Sequence, residues 1–326
     1  MVSLSVDDQA FIDENKLKIP SEEELYTSIR KMANLSWKIG LEKKDIERWI
    51  SNFKGNVFGD IEYERRLALL ILSSFVYYNL EDVRHLSRQI IFKFIHHTVK
   101  RMCKEEPYLN QDLNDLTRKV IKQSIFCPLG NPSESGTNIL YYVRQTNMLP
   151  KTNFTFDVQS AIENPEIKNI VFIDDVTLSG VQAKNYFEKY QLSTIKDKNF
   201  YFLTFMATQE AYDILESLNA TMIPAIFLDS RSQCFSETTF IFGQNKSLRD
   251  HCCRLATFYG DIIYCPPLGF NDDGYAFGFF YNTPDNTLPI FWSDCNGWKP
   301  IFKRFDKINV LEHYEGVINN ESCKFI

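Results

Sequence analysis

Asn169 to Gln182 reads NIVFIDDVTLSGVQ, and the order of residue types within it decides the fold. Four apolar residues, Ile170 to Ile173, precede the adjacent acids Asp174 and Asp175; a short turn with Ser179 and Gly180 follows, then a helix-like segment to about Tyr190. A strand that runs into a loop and then a helix is the unit of a parallel α/β sheet. The first backbone N–H groups of such a helix lack internal partners and can take up a phosphate. Thr177, Leu178, Ser179, Gly180, Val181 and Gln182 are therefore the expected phosphate-binding residues: Gly180 lets the backbone come close, and Thr177 and Ser179 add hydroxyls. Carboxylates accept hydrogen bonds, so a ribose whose 5′-phosphate sat in this loop would offer its 2′ and 3′ hydroxyls to Asp174 and Asp175. A buried strand that simply ends in Asp-Asp and a structural turn would carry the same letters.

The stretch Ile170 to Gly180 resembles the PRPP-binding signature of the type I phosphoribosyltransferases. It departs from that signature at Gln182, where the family usually carries Thr or Ser. The resemblance implies a phosphoribosyltransferase-like, Rossmann-like parallel sheet, PRPP or a nucleotide as ligand, and Mg²⁺ accompanying PRPP if the chain is an enzyme.

Working outward, a strand over 124–129 enters the turn Gly130-Asn131-Pro132-Ser133-Glu134-Ser135-Gly136, with a helix expected over 137–145. In the resembled family a small-residue loop at this place binds pyrophosphate. Ser133, Ser135 and Gly136 suit an anion, whereas Glu134 either turns away or is a catalytic carboxylate alongside Asp174 and Asp175. A short strand is expected over 153–158, then strands over 200–207 and 222–228 with a helix over 209–218 between them. The family's mobile basic loop has only Lys168 to represent it here, which departs from ordinary phosphoribosyl transfer.

Residues 1–120 read as a helical N-terminal domain after a polar arm that ends at Pro20. Ser21 with Glu24 forms a capping box before Leu25, Ile29, Met32 and Trp37; Asp60 caps another helix, and a long one follows over 81–102. Arg84, Arg88, Lys93, Lys100, Arg101 and Lys104 lie along that last helix, with no acid from Arg84 to Lys104. Such a run suits either a phosphate backbone or a solvated face. His96 and His97 sit beside it.

Residues 121–265 form the expected α/β domain and 266–326 a C-terminal cap. Within the cap, strand-like runs over 275–281 and 288–292 flank the turn Asn282-Thr283-Pro284-Asp285-Asn286-Thr287. That pattern predicts a β-hairpin hood, with Asn282, Thr283 and Asn286 facing an acceptor or simply obeying turn chemistry. Asp229 and Arg231 form either a border of the site or a surface ion pair. LGF, YNTPDNTLPIFW and GWKPIFKRF in this tail resemble a phosphoribosyltransferase-like family of bacterial conflict systems, including retron-linked antiphage effectors. The resemblance implies an antiviral defence or toxin role and a retron reverse transcriptase with its RNA–DNA product as partner.

The chain has 326 residues, 44% hydrophobic and 24% charged, with a net charge of −6; this composition suits a globular protein and excludes a uniformly basic nucleic-acid binder. Its eight cysteines form no CxxC pair and its five histidines complete no zinc pattern, so reduced thiols are expected. Acids arrive too early for a signal peptide, and the longest apolar run, Leu67 to Tyr78, is too short to span a bilayer. A cytoplasmic protein without membrane contact is the expectation.

Overall fold

Ser21 and Glu24 close their capping box as expected: the Glu24 carboxylate accepts the Ser21 N–H at 2.8 Å, and Ser21 Oγ accepts the Glu24 N–H. In the computed structural model, which describes residues 19–105, 112–129, 135–242 and 245–304 together with Ile12, that box starts α1 (Glu22–Met32). A π-helical turn, Ala33–Trp37, ends it at Lys38. There follow α2 (Lys43–Ile50), α3 (Ile61–Leu72, capped by Asp60), β1 (Val76–Tyr78), α4 (Leu80–Glu105) and α5 (Leu113–Lys122). Next come β2 (Ser124–Pro128), α6 (Ser135–Asn147), α7 (Val158–Glu163), β3 (Asn169–Thr177) and α8 (Val181–Lys189). The chain continues with β4 (Asn199–Thr208), α9 (Gln209–Ser217), β5 (Ala220–Leu228), α10 (Lys246–Ile263), β6 (Phe277–Phe279) and α11 (Pro289–Trp292).

Residues 80–229 form one compact unit around a four-stranded parallel sheet of order β2-β3-β4-β5. The register is pinned at one edge by polar side chains. Asn169 donates to Ser124 Oγ at 3.1 Å and accepts from the Asn199 amide at 3.2 Å, and the same three residues pair across β2, β3 and β4. β3 and β4 are buried almost throughout because both faces are covered, and the run Ile170 to Ile173 is unbroken apolar, as expected of a parallel sheet. On one face Phe172, Phe200 and Phe202 pack with Phe187 and Leu215. On the other, Phe94 of α4 meets Tyr201 and Phe126 edge-on, at 4.8 and 5.9 Å. Each fully buried aromatic of this kind contributes roughly 1.5–3 kcal/mol.

These contacts move a boundary. The long helix α4, assigned by its sequence to a separate N-terminal domain ending at 120, belongs to the sheet unit. The other unit joins residues 1–79 to 230–326, so neither 120/121 nor 265/266 is a division between the units.

The expected strand over 153–158 is a 3-10 turn, Lys151–Asn153, and a single bridge between Phe154 and Phe126. Asp157 stops the extended chain: its carboxylate accepts the Ser160 N–H at 3.0 Å and caps α7. Pro224 sits inside β5, which is tolerated because β5 is an edge strand.

In the second unit the predicted hairpin is absent. β6 pairs in parallel with β1, Val76 opposite Phe277, and the second apolar run forms the short helix α11 with Pro289 in its first turn. Leu288, Ile290 and Phe291 are fully buried, so their unbroken hydrophobicity reports burial on every side rather than strand alternation. A buried carboxylate, Glu64, organises the neighbouring loop. It accepts N–H groups of Gly55, Val57 and Phe58 at 2.6–2.8 Å and the Tyr259 hydroxyl at 2.6 Å.

Candidate active site at the carboxyl edge of the sheet

β3 runs further than its apolar stretch. The acids Asp174 and Asp175 lie within the strand, as do Val176 and Thr177, and only Leu178, Ser179 and Gly180 form the turn. Adjacent strand residues face opposite sides of a regular sheet. At the acid pair, however, the ladder is irregular: Asp174 pairs with Thr204 and Val176 with Met206, and Asp175 is passed over. Asp174 Oδ1 accepts the Asp175 N–H at 3.0 Å and Asp175 Oδ1 the Val176 N–H at 2.9 Å. Asp174 is buried and Asp175 half-buried.

Two threonines of β4 that the sequence did not single out hold this edge. Thr204 is fully buried, and its hydroxyl reaches the Asp175 carbonyl at 2.9 Å and the Met206 carbonyl at 3.1 Å; the Thr177 hydroxyl lies 3.5 Å away. Thr208 donates to the Leu178 carbonyl and, as N-cap of α9, accepts the Ala211 N–H at 3.2 Å. Two Thr four residues apart in a buried apolar strand, and so on one face of it, were the available signal.

Gly180 is the N-cap of α8 and has φ 66°, a left-handed conformation that L side chains rarely adopt. A Cβ there would lie 3.1 Å from Ala211 Cα and 3.4 Å from Ile214 Cβ. The glycine expected to admit a phosphate is thus also needed for the approach of α9. Ser179 Oγ accepts the Val181 N–H at 3.4 Å, Thr177 and Leu178 are buried, and Val181 and Gln182 are exposed on the first turn of α8.

Gly136, in the first turn of α6, is brought to the same edge. A Cβ on it would sit 3.1 Å from the carbonyl oxygen of Ile173, the residue before the acid pair, and 3.3 Å from Leu129 N and O. Two stretches distant in sequence thereby meet. Ser133 and Glu134, and the side chain of Ser135, lie outside the described residues. One residue on, Thr137 Oγ1 is buried with no hydrogen-bond partner among the described residues. Cys127, two residues before the end of β2's continuation at Leu129, is no nucleophile: burial pushes its thiol up to about 12, so it stays protonated at neutral pH.

The other candidates are placed differently. Thr283 is buried and donates to the Phe302 carbonyl at 3.1 Å; Asn286 is buried and donates to the Phe270 carbonyl and to Asp273. Both amide and hydroxyl are engaged inside their own unit, and Asn282 borders a cavity. Of the basic run on α4, Lys93 turns inward, donating to the Pro224 and Ala225 carbonyls at 2.8 and 3.0 Å and so covering the open edge of β5. Arg101 stacks over Tyr201 and meets Glu105 at 3.6 Å. His96 stacks on Phe92, and the His97 ring lies edge-on to Tyr201. The Arg231 guanidinium lies over Phe240. Among the described residues the cysteines are free, no cluster of three or more His, Cys, Asp or Glu could hold a metal, and no helix is long and apolar enough to cross a membrane.

No curated protein and no solved structure matches the chain. A family model described as PRTase-CE matches residues 46–304, which take in β2 to β5, the acid pair and most of the second unit. With more than half its length matched and a parallel sheet that carries Asp-Asp and a glycine turn at one edge, the chain belongs to the PRTase-CE family and is phosphoribosyltransferase-like.

Proposed function

We propose that the carboxyl edge of the sheet binds PRPP or a nucleotide, and that the chain is the effector of an antiphage defence system, retron-linked or related. The observation that carries this is the convergence of the acid pair on β3, the Gly180 turn and the Gly136 end of α6 at one edge. The ribose hydroxyls donate to Asp174 and Asp175, and the 5′-phosphate lies over the turn at Ser179 and the first N–H groups of α8. As the bond from C1 to its leaving group lengthens, the electron pair departs with the leaving group and positive charge grows on the ring. The two carboxylates stabilise that charge.

The donor set fits a divalent ion that arrives with a diphosphate, since two hard carboxylates are at hand and, among the described residues, no larger cluster. Mg²⁺ bound with Asp174 or Asp175 and the diphosphate would neutralise the departing group as a Lewis acid. The acceptor would be a nucleotide or nucleic acid. A partner, a retron reverse transcriptase with its RNA–DNA product, would meet the outward cations of α4.

A second function is favoured by specific residues. Gln182 in place of a hydroxyl residue, Glu134 in the expected anion loop, and Lys168 alone where a basic loop would stand suit a module that binds PRPP or a nucleotide without turnover and regulates a partner. Calorimetric titration with PRPP and Mg²⁺, then with nucleotides, tests both. Asp174→Asn with Asp175→Asn keeps an oxygen at each Oδ1 position for the backbone N–H groups, so the double variant should melt within a few degrees of wild type. It should lose ligand affinity by at least about tenfold, the loss of one or two charge-assisted hydrogen bonds. Undiminished affinity in a folded double variant rules the site out. Ligand consumption marks the enzyme, and stoichiometric binding without consumption marks the sensor.

A further inference from the structure

Two cavities adjoin in the unit formed by residues 1–79 and 230–326. The first, of about 330 Å³, is walled by aromatic rings, Tyr77, Phe280 and Tyr281. The second, of about 350 Å³, has Trp298 in its lining and Arg48 and Lys299 around it. Ile301 and Lys303 border both, so the two cavities form one groove.

The aromatic wall is already ordered. Tyr281 is stacked on Phe279 at 5.3 Å and 10°, and Phe280 meets Tyr281 edge-on at 5.2 Å; Tyr77 lies 5.5 Å from Phe302. A further ring can extend such a stack at little cost in side-chain entropy. The charged end is unbalanced. Lys303 is paired with Asp294 at 2.6 Å, but Arg48 and Lys299, both exposed, have no ion-pair partner among the described residues. Three cations face one acid, against the trend of a chain whose net charge is −6. A local positive field beside planar rings selects a ligand that alternates flat apolar rings with anionic groups. Each cavity has room for about one nucleotide, and both open to solvent, so the ligand can continue past either end.

We infer that this groove binds a single strand of nucleic acid, with a base against Tyr281 and Phe280 and a flanking phosphate at Arg48 and Lys299. The inference is independent of what the sheet edge binds, because every residue in it belongs to the other unit.

The experiment is fluorescence anisotropy of the full chain with a labelled single-stranded oligothymidine at several salt concentrations. Arg48→Glu with Lys299→Glu should weaken binding by about tenfold or more and lower the salt slope by roughly 0.7 for each phosphate released. Tyr281→Leu keeps apolar bulk but removes the stacking face, and should cost about fivefold or more. Arg30→Glu, an exposed cation of the same unit, should leave affinity within about twofold. All these side chains are exposed or half-buried, and a melting curve on each variant confirms folding. The inference is overturned if the oligonucleotide does not bind, or if Arg48→Glu with Lys299→Glu in folded protein binds as wild type. It is also overturned if thymidine monophosphate competes as well as the strand does, which would make the groove a mononucleotide site.

Discussion

Replacing Gly180 separates two physical demands at one position. At φ 66° an alanine pays about 1–2 kcal/mol for the left-handed conformation. Its Cβ at 3.1 Å from Ala211 Cα and 3.4 Å from Ala211 O forces α9 to give by a few tenths of an ångström, worth about 1 kcal/mol more. The sum is about 2–3 kcal/mol for Gly180→Ala, and more for Gly180→Val, whose branched Cβ is an outlier at positive φ. In a unit of this size that corresponds to a fall in Tm of roughly 5–10 °C for the alanine variant. Asparagine tolerates the left-handed region but retains the Cβ, so Gly180→Asn isolates the contact with α9. Differential scanning calorimetry should rank the variants Gly, Asn, Ala, Val in falling Tm. An alanine variant that melts within about 1 °C of wild type would refute the assigned strain. Because Gly180→Val unsettles the fold itself, its loss of ligand would say nothing of phosphate binding; ligand affinity is better measured on the asparagine variant below its transition.

Thr204→Val keeps shape and removes the hydroxyl that spans the gap in the ladder, so hydrogen exchange of the amides over 175–181 should rise, while Thr204→Ser should restore protection; equal exchange in all three would show that the hydroxyl holds nothing. Arg84→Glu with Arg88→Glu should weaken a nucleoprotein partner and reduce its salt dependence, by roughly 0.7–0.9 log units per log unit of salt for each lost phosphate contact, and normal co-purification would remove α4 as the interface. Lys93→Glu is a different experiment: it strips the cover from the Pro224 and Ala225 carbonyls, so it should lower Tm by several degrees with or without a partner, and an unchanged Tm would deny that role. At high pH, burial holds the Tyr26 and Tyr186 phenols up at about 12 against an ordinary 10.0. The folded chain then keeps protons that the unfolded chain releases, so stability is full below pH 10 and falls as pH rises from 10 toward 12. Urea midpoints at about pH 8 and about pH 11 should differ in that sense, and identical midpoints would contradict it.

How far the letters reach is clearest at β3 and at the C-terminal segment. The apolar run Ile170 to Ile173 is buried on both faces, and only a parallel central strand or a buried helix gives that pattern; the Asp-Asp and Ser-Gly that follow chose the strand. The caps Ser21 and Asp60 were equally legible, because a cap is a bond between residues three apart in sequence. Phe277 to Phe279 and Leu288 to Trp292 gave the same apolar signal and became a parallel strand and a helical turn, since unbroken hydrophobicity states that a segment is buried but not what buries it. Long-range contacts alone decided the rest. Lys93 was drawn off its apparent basic face by the open carbonyls of β5, 131 and 132 residues away. Thr204 reached the Asp175 carbonyl only because β3 and β4 pair in register, and Gly136 met Ile173 only because α6 packs against the ends of two strands. A motif confined to one βα unit is written in neighbouring residues and can be read there; the side chains that hold it are supplied by other strands and helices, and only tertiary packing brings them to it.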